Sequence, residues 1–314
     1  MKVLVTGATG FIGSNLVKRV LGDGFDVLIV KRINSSLEKI EDILDHERLK
    51  IYDISSTNLE YIFQKEKIDA IFHLATFYQK KEKSLDIQKM IRSNIEWPTL
   101  ILQKAVESGV KYFINTGTFF EYRLNREVPI SEESELAPYN LYASTKIAFE
   151  NILRYYVNLN KMKAITLKLF APYGPYDNPN KIIPFLIKKM FKKEPITLHS
   201  SGMQKWDYIF VLDIVDAYVK ALNYVQHMKN KYEVFNIGDG KTVTIYEITN
   251  ILKRLIGYQN KIIWSNDSPH EIKYVCANIE KAKQILGWNP HYDIEKGLKA
   301  TVKWYINDGA KDEN

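Results

Sequence analysis

"KVLVTGATGFIG" (residues 2–13) is the stretch whose reading decides the fold. Val3, Leu4 and Val5 form a short apolar run that meets Gly7, and Gly10 and Gly13 follow at three-residue spacing as Phe11 and Ile12 open a helical pattern. A strand that runs through glycines into a helix meets three physical demands at once. The chain turns tightly, an anion approaches the backbone closely, and helix-start amides face that anion. The spacing is G-x-x-G-x-x-G rather than G-x-G-x-x-G, so the strand–turn–helix setting carries the reading. It predicts a dinucleotide pyrophosphate over Gly7, Thr9, Gly10, Phe11, Ile12 and Gly13.

Outward from this turn, the helical pattern is stopped by Gly22 and Gly24, and strand-like runs recur at 25–30, 49–54, 68–75, 110–117 and 163–170. Helical stretches separate them, notably 92–108 and 139–159. The runs are apolar on both faces, as parallel strands covered by helices must be. The alternation predicts an α/β protein with a doubly wound parallel sheet of the Rossmann type. After Phe170 the Pro/Gly/Asn-rich "APYGPYDNPNK" (171–181) marks a change of character. Residues 1–168 are expected to form the dinucleotide-binding domain, with 207–238 returning to it. Segments 169–206 and 239–314 are expected to form a smaller mixed α/β substrate domain.

With 314 residues, 46% of them hydrophobic, the chain is able to bury a large core. Its single cysteine, Cys276, allows no internal disulfide and fits a reducing cytoplasm. Six scattered histidines give no metal-ligand spacing, so no metal is expected. Met1 runs directly into the first strand, so no signal peptide is expected, and no apolar run reaches membrane-spanning length. The net charge of +7 suits an anionic ligand. The basic residues are dispersed rather than striped, which argues against nucleic acid.

Four motifs in order, "TGATGFIG", "DAIFHLA", "YASTK" and "YEVFNIGDG", resemble the extended short-chain dehydrogenase/reductase family in its nucleotide-sugar branch, from Met1 to about Trp304. The resemblance implies that Tyr142 is a general acid and that Lys146, one helical turn on, lowers its pKa and holds the nicotinamide ribose. Y-x-x-x-K also occurs at Tyr61–Lys65 and Tyr292–Lys296, so position after strand five is what selects Tyr142. Thr118 matches the family's catalytic Ser/Thr. The remaining implied cofactor contacts are Asp53, Ile54, Leu74, Ala75, Thr76, Asn94, Thr116, Phe170, Ala171 and Pro172, besides Tyr142 and Lys146. His73 is expected to be a packed strand residue. On the substrate side the resemblance points to Tyr78, Phe119, Lys205, Asp207 and Glu271. Trp206 stands where relatives have a phosphate-binding arginine, and Lys205 is expected to replace its charge.

The branch contains several reactions. Dehydratases in it carry Asp-Glu directly after the catalytic Thr; here Phe119 and Phe120 follow, and Glu121 is one position late on a strand-like segment that would aim it elsewhere. Epimerases keep NAD and have an acid ending strand two. Here "DVLIVKRINSS" (26–36) supplies Lys31, eighteen residues after Gly13 (31 − 13), and then Arg32. A basic pair there suits a 2′-phosphate, so NADPH/NADP is expected, with NAD the alternative if the pair is ordinary surface. "LKLF" (167–170) and "EIKYVCAN" (271–278) look closest to C4 reductases such as the CDP-abequose, CDP-paratose and dTDP-fucose synthases. The expected activity is therefore NADPH-dependent reduction of the C4 keto group of a CDP- or dTDP-linked 4-keto-6-deoxysugar, in surface-polysaccharide or O-antigen synthesis. The alternatives are an NAD-retaining nucleotide-sugar epimerase and a non-catalytic dinucleotide sensor. Helices 92–108 and 139–159 resemble the pair that forms a four-helix homodimer interface.

Overall fold

The computed structural model describes residues 1–79, 84–125, 128–265 and 272–307. Its centre is a sheet of seven parallel strands: β1 (Lys2–Thr6), β2 (Asp26–Lys31), β3 (Leu49–Asp53), β4 (Ala70–His73), β5 (Tyr112–Thr118), β6 (Lys163–Leu169) and, from much later in the chain, Tyr232–Ile237. The spatial order is that late strand, then β6-β5-β4-β1-β2-β3. Register follows burial: Val3 sits between Val27 and Ala70, and Val5 between Ile29 and Phe72.

Alternation of side chains divides the core into two layers. Val3 and Val5 face Leu16, Val17 and Val20 of α1 (Phe11–Gly22) on one side of the sheet. Leu4 faces the other side, where α2 (Leu59–Lys65), α4 (Trp97–Glu107) and α5 (Leu141–Leu159) bring Ile62, Ile101, Leu102, Phe149 and Leu153. Each such side chain contributes about 1.5–3 kcal/mol by leaving water. α3 (Ser84–Ile91) precedes α4, and the helix expected over 92–108 is not continuous. Residues Arg92–Glu96 form a widened π-type turn between α3 and α4, and Asn94 lies buried within it.

Beyond β6 the elements shorten. β7 (Ala171–Tyr173), α6 (Ile182–Phe191), β8 (Ile196–Leu198), β9 (Lys205–Trp206), β10 (Tyr208–Phe210), α7 (Val211–His227), β11 (Tyr232–Ile237, the seventh strand of the main sheet), β12 (Val243–Thr244), α8 (Ile245–Ile256), β13 (Ile262–Trp264), β14 (Tyr274–Val275) and α9 (Ile294–Asn307) follow. They make three small sheets: β7 with β10, β9 between β12 and β14, and β8 with β13. α7 returns to the main sheet, its Ile214, Tyr218 and Ala221 joining the α1 layer. α6, α8 and α9 close a third core around Ile183, Leu186, Ile248, Leu252, Leu298 and Val302.

Candidate active site

In a doubly wound sheet, ligands bind beyond the carboxyl ends of the strands where strand order reverses. That point lies between β1 and β4. Gly7, directly after β1, has φ +71°, and a Cβ there would stand 2.7 Å from the amide nitrogen of Ala75. A Cβ on Gly13 would overlap the Gly7 carbonyl. Both positions therefore require glycine. Gly10 is exposed, its N–H donates to the Gly7 carbonyl at 3.0 Å, and no side chain caps α1. The first-turn amides after Phe11 and Ile12, with Thr9 beside them, are thus placed for an anion from outside the chain.

After β4 the chain is held against this turn. Thr6 Oγ1 accepts the amides of Leu74 and Ala75, each at 3.2 Å, so its one proton goes to His73 Nδ1 at 2.9 Å. His73 is then a neutral acceptor at Nδ1, and burial pushes its pKa down to about 3, with Lys146 acting in the same direction. It packs between Phe113 and Phe149. Among the expected cofactor contacts, two side chains are already committed internally. Asn94 uses its amide for Phe77 O and Thr145 Oγ1, both at 3.0 Å, and its carbonyl for the Phe77 amide and the Thr76 hydroxyl. The Thr116 hydroxyl lies 2.7 Å from His73 O and 2.5 Å from the Tyr218 hydroxyl. Through these bonds they shape the pocket wall and present no free donor to it. Phe170, Ala171 and Pro172 continue from β6 along the same edge, and Lys181 Nζ reaches Pro172 O at 3.4 Å from above the Phe11 ring.

The ends of β2 and β3 modify the basic-pair expectation. Lys31 and Asp53 are register partners, and Lys31 Nζ lies 3.1 Å from Asp53 Oδ2. The Asp53 carboxyl is held below its usual range by the Ser55 amide and by Lys31. Ile54 is anchored by its N–H on Lys31 O at 2.9 Å. Lys31 is therefore a paired ammonium, and Arg32, exposed one residue later, is the cation that faces outward.

Tyr142 and Lys146 lie in the first turns of α5, which Asn140 starts by accepting the Ala143 amide at 2.9 Å. Lys146 is buried, with Nζ 5.9 Å from the centre of the Tyr142 ring. Tyr78 stands edge-on to that ring at 5.0 Å. The expected lowering of the phenol by the ammonium is not what this geometry gives. Burial pushes Tyr142 well above its ordinary value and Glu121 adds to that, while the Thr76 hydroxyl opposes it. Lys146 itself is pushed down to about 8 by burial.

Thr118 ends β5 and caps a single 3-10 turn, Phe119–Glu121. Its hydroxyl accepts the Phe120 amide at 3.4 Å, and its own N–H donates to Glu121 Oε1 at 2.7 Å. Glu121 is thus not aimed away along a strand. It folds back, fully buried, against Thr118 and lies 2.9 Å from Lys168 Nζ. The T-x-x-E spacing is the capping-box signature, the signal in the sequence that could have revealed this.

On the substrate side, successive residues of β9 point to opposite faces. Trp206 faces Phe119 at 5.6 Å and Phe120 at 6.5 Å, its indole N–H held by Ile272 O at 2.8 Å. Lys205 is exposed on the other face, where its charge acts on Glu247 at the start of α8. It does not stand in for the lost arginine. Asp207 is also corrected: it is wholly buried, accepting the amides of Asp239 at 2.6 Å, Gly240 at 3.0 Å and Ala277 at 2.9 Å. Burial nevertheless pushes its carboxyl up to about 7. It joins three segments and, with no surface exposed, is a structural tie rather than a ligand contact. Phe119 is buried and stacks on Phe170 at 5.6 Å. Glu271 lies outside the described residues.

A family model described as "NAD dependent epimerase/dehydratase family" matches residues 3–238. The chain is 31% identical over 312 residues to a UDP-glucuronate 4-epimerase of Thermodesulfobacterium geofontis, covering 96% of this chain and 95% of that one. It is 28% identical over 310 residues to a CDP-abequose synthase of Salmonella typhimurium, covering 96% and 97%. Among solved structures, a UDP-glucuronic acid 4-epimerase from Bacillus cereus, in complex with UDP-glucuronic acid and NAD, superposes with a TM-score of 0.87 at 27% identity, covering 98% and 99%.

Proposed function

We propose, from the premise that the chain belongs to the NAD dependent epimerase/dehydratase family, that it reduces the C4 keto group of a CDP- or dTDP-linked 4-keto-6-deoxysugar with NADPH. The observation that carries this reading is the end of β2. Where an acid would meet a ribose hydroxyl, the chain has Lys31 and Arg32, and the nearby carboxylate, Asp53, is neutralised by Lys31. An outward guanidinium there favours a 2′-phosphate, and a phosphorylated dinucleotide that is taken up and released suits net reduction. Family relatives act on nucleotide sugars by name, and Phe119 and Phe120 leave no carboxyl group directly after Thr118 for eliminating water.

When bound, the nicotinamide supplies the hydride. Thr118, whose hydroxyl proton is not used by its cap, donates to the C4 carbonyl oxygen and orients it. Tyr142, protonated in the folded chain, gives its proton to the developing alkoxide, and Lys146, buried behind its ring, is placed to hold the ribose. The product would enter surface-polysaccharide or O-antigen synthesis in the cytoplasm. No helix among the described residues is long and apolar enough to cross a membrane. A homodimer is part of this reading, formed through α4 and α5, where Leu100, Tyr155 and Leu159 are exposed.

The test is NADPH consumption with CDP-, dTDP- and GDP-linked 4-keto sugars, with the product identified by NMR. Oxidation of NADPH and a C4 alcohol are expected with the first two; no oxidation with any of them sinks the proposal. A second reading is a 4-epimerase that keeps NAD. The named relatives above favour it. It predicts dinucleotide that stays bound through purification and interconversion of nucleotide sugars without NADPH.

A further inference from the structure

We propose that Glu121 is a positioning residue for the Thr118, Tyr142 and Lys146 group: its buried carboxylate fixes Thr118 and keeps the group's acid protonated until the reaction consumes the proton. This rests on the reductive reading above. Glu121 Oε1 takes the Thr118 N–H at 2.7 Å, so the residue that orients the carbonyl is held by a charge-assisted bond from three positions along the chain. The site is built around that carboxylate. A Cβ on Gly117 would come within 2.9 Å of Glu121 Oε1 and 2.9 Å of Lys168 Cγ, so the glycine leaves the room in which the pair lies.

The charges facing Glu121 come from two elements. β6 supplies Lys168, whose Nζ is 2.9 Å from Glu121 Oε2 and 3.5 Å from Glu150 Oε2. α5 supplies Glu150, which Arg154 holds at 2.8 Å on its other oxygen, and, at its start, Tyr142 and Lys146. Tyr232 of β11 meets this chain at Glu150, and the Tyr122 hydroxyl is turned away to Asn236 at 2.8 Å. Four charges of alternating sign, Glu121, Lys168, Glu150 and Arg154, thus run from the catalytic turn to the surface. Such buried pairs add little net stability over well-packed apolar residues. What distinguishes this one is its place behind the reacting group.

The sign of its effect is fixed by electrostatics. A carboxylate here favours the protonated form of both Tyr142 and Lys146. Reduction consumes the phenolic proton, so the charge keeps the acid loaded at the pH of the reaction.

Glu121→Gln keeps an acceptor for the Thr118 N–H and removes the charge. The alkaline limb of kcat/KM for NADPH-driven reduction of the nucleotide-linked 4-keto sugar should move down by about one pH unit. The rate on that limb should fall about tenfold, with the KM for NADPH unchanged. Glu121→Gln combined with Lys168→Gln takes out the ammonium that the single change would strand, and carries the test if the single variant does not fold. It should show a shift in the same direction but smaller, because the Lys168 charge opposes that of Glu121. A limb that coincides with wild type in either folded variant overturns the proposal. If the wild-type enzyme consumes no NADPH but interconverts nucleotide sugars, the reductive reading alone fails. The same variants are then read on the acid limb of that reaction, where Tyr142 is the base. That limb must also move down, and a fixed limb there sinks the positioning role.

Discussion

Lys31 and Arg32 are adjacent in sequence and different in chemistry. Lys31 spends its charge on Asp53, while Arg32 points outward. Arg32→Asn alone should therefore weaken NADPH relative to NADH at least tenfold in kcat/KM. Lys31→Met alone should do less, because it frees a carboxylate rather than removing an outward cation. Equal effects from the two variants would mean that the pairing seen here does not govern recognition. The sequence shows that two cations end β2; which of them is occupied depends on the register of β2 with β3, which no local pattern records. Glu121 shows the converse. Its capping-box spacing was legible, but its burial was not, because that depends on Lys168 arriving 47 residues later (168 − 121) in β6.

At the scale of elements, the glycine turn was readable because its constraint is local. Gly13→Ala sets a methyl against the Gly7 carbonyl, so the turn and the start of α1 must move apart. Fluorescence titration should show dinucleotide affinity falling by more than tenfold, with a lower melting temperature; unchanged affinity would remove the turn from the cofactor site. The six strands of the first half were legible for the same reason, as apolar runs bounded by turns. The π-type turn at Arg92–Glu96 was not, since it arises where Asn94 must reach Phe77 and Thr145 on two other segments. Asp207 was misread as a ligand contact because its three amide partners lie between thirty and seventy residues away.

For the whole molecule, His73 links stability to pH. It is held neutral when folded, with its pKa pushed to about 3, while the unfolded chain takes up the proton near the ordinary 6.5. A depressed folded value gives stability that is present above pH 6.5 and lost as pH falls toward 3. Its share of the slope is about 1.4 kcal/mol per pH unit. Wild type should melt at progressively lower temperature below pH 6.5, and His73→Asn should flatten that decline; parallel curves would show that other groups dominate. Association is testable at the same scale. Light scattering at micromolar concentration should give a dimer for wild type, and Leu100→Glu should give a monomer with an unchanged circular dichroism spectrum. A wild-type monomer would end the dimer reading.

The position of β11 at the outer edge of the main sheet also dictates an order of events during synthesis. β6 ends at Leu169 and its outer neighbour is complete only at Ile237, 68 residues later (237 − 169). At about 5–20 residues per second, a ribosome leaves that edge uncovered for roughly 3–14 s. During those seconds "AITLKL" (164–169), a hydrophobic row of open backbone donors and acceptors, is the surface on which a nascent chain would pair wrongly. The carboxy-terminal half thus also protects the amino-terminal half, and a chain cut short between β6 and β11 would carry β6 as an open edge strand.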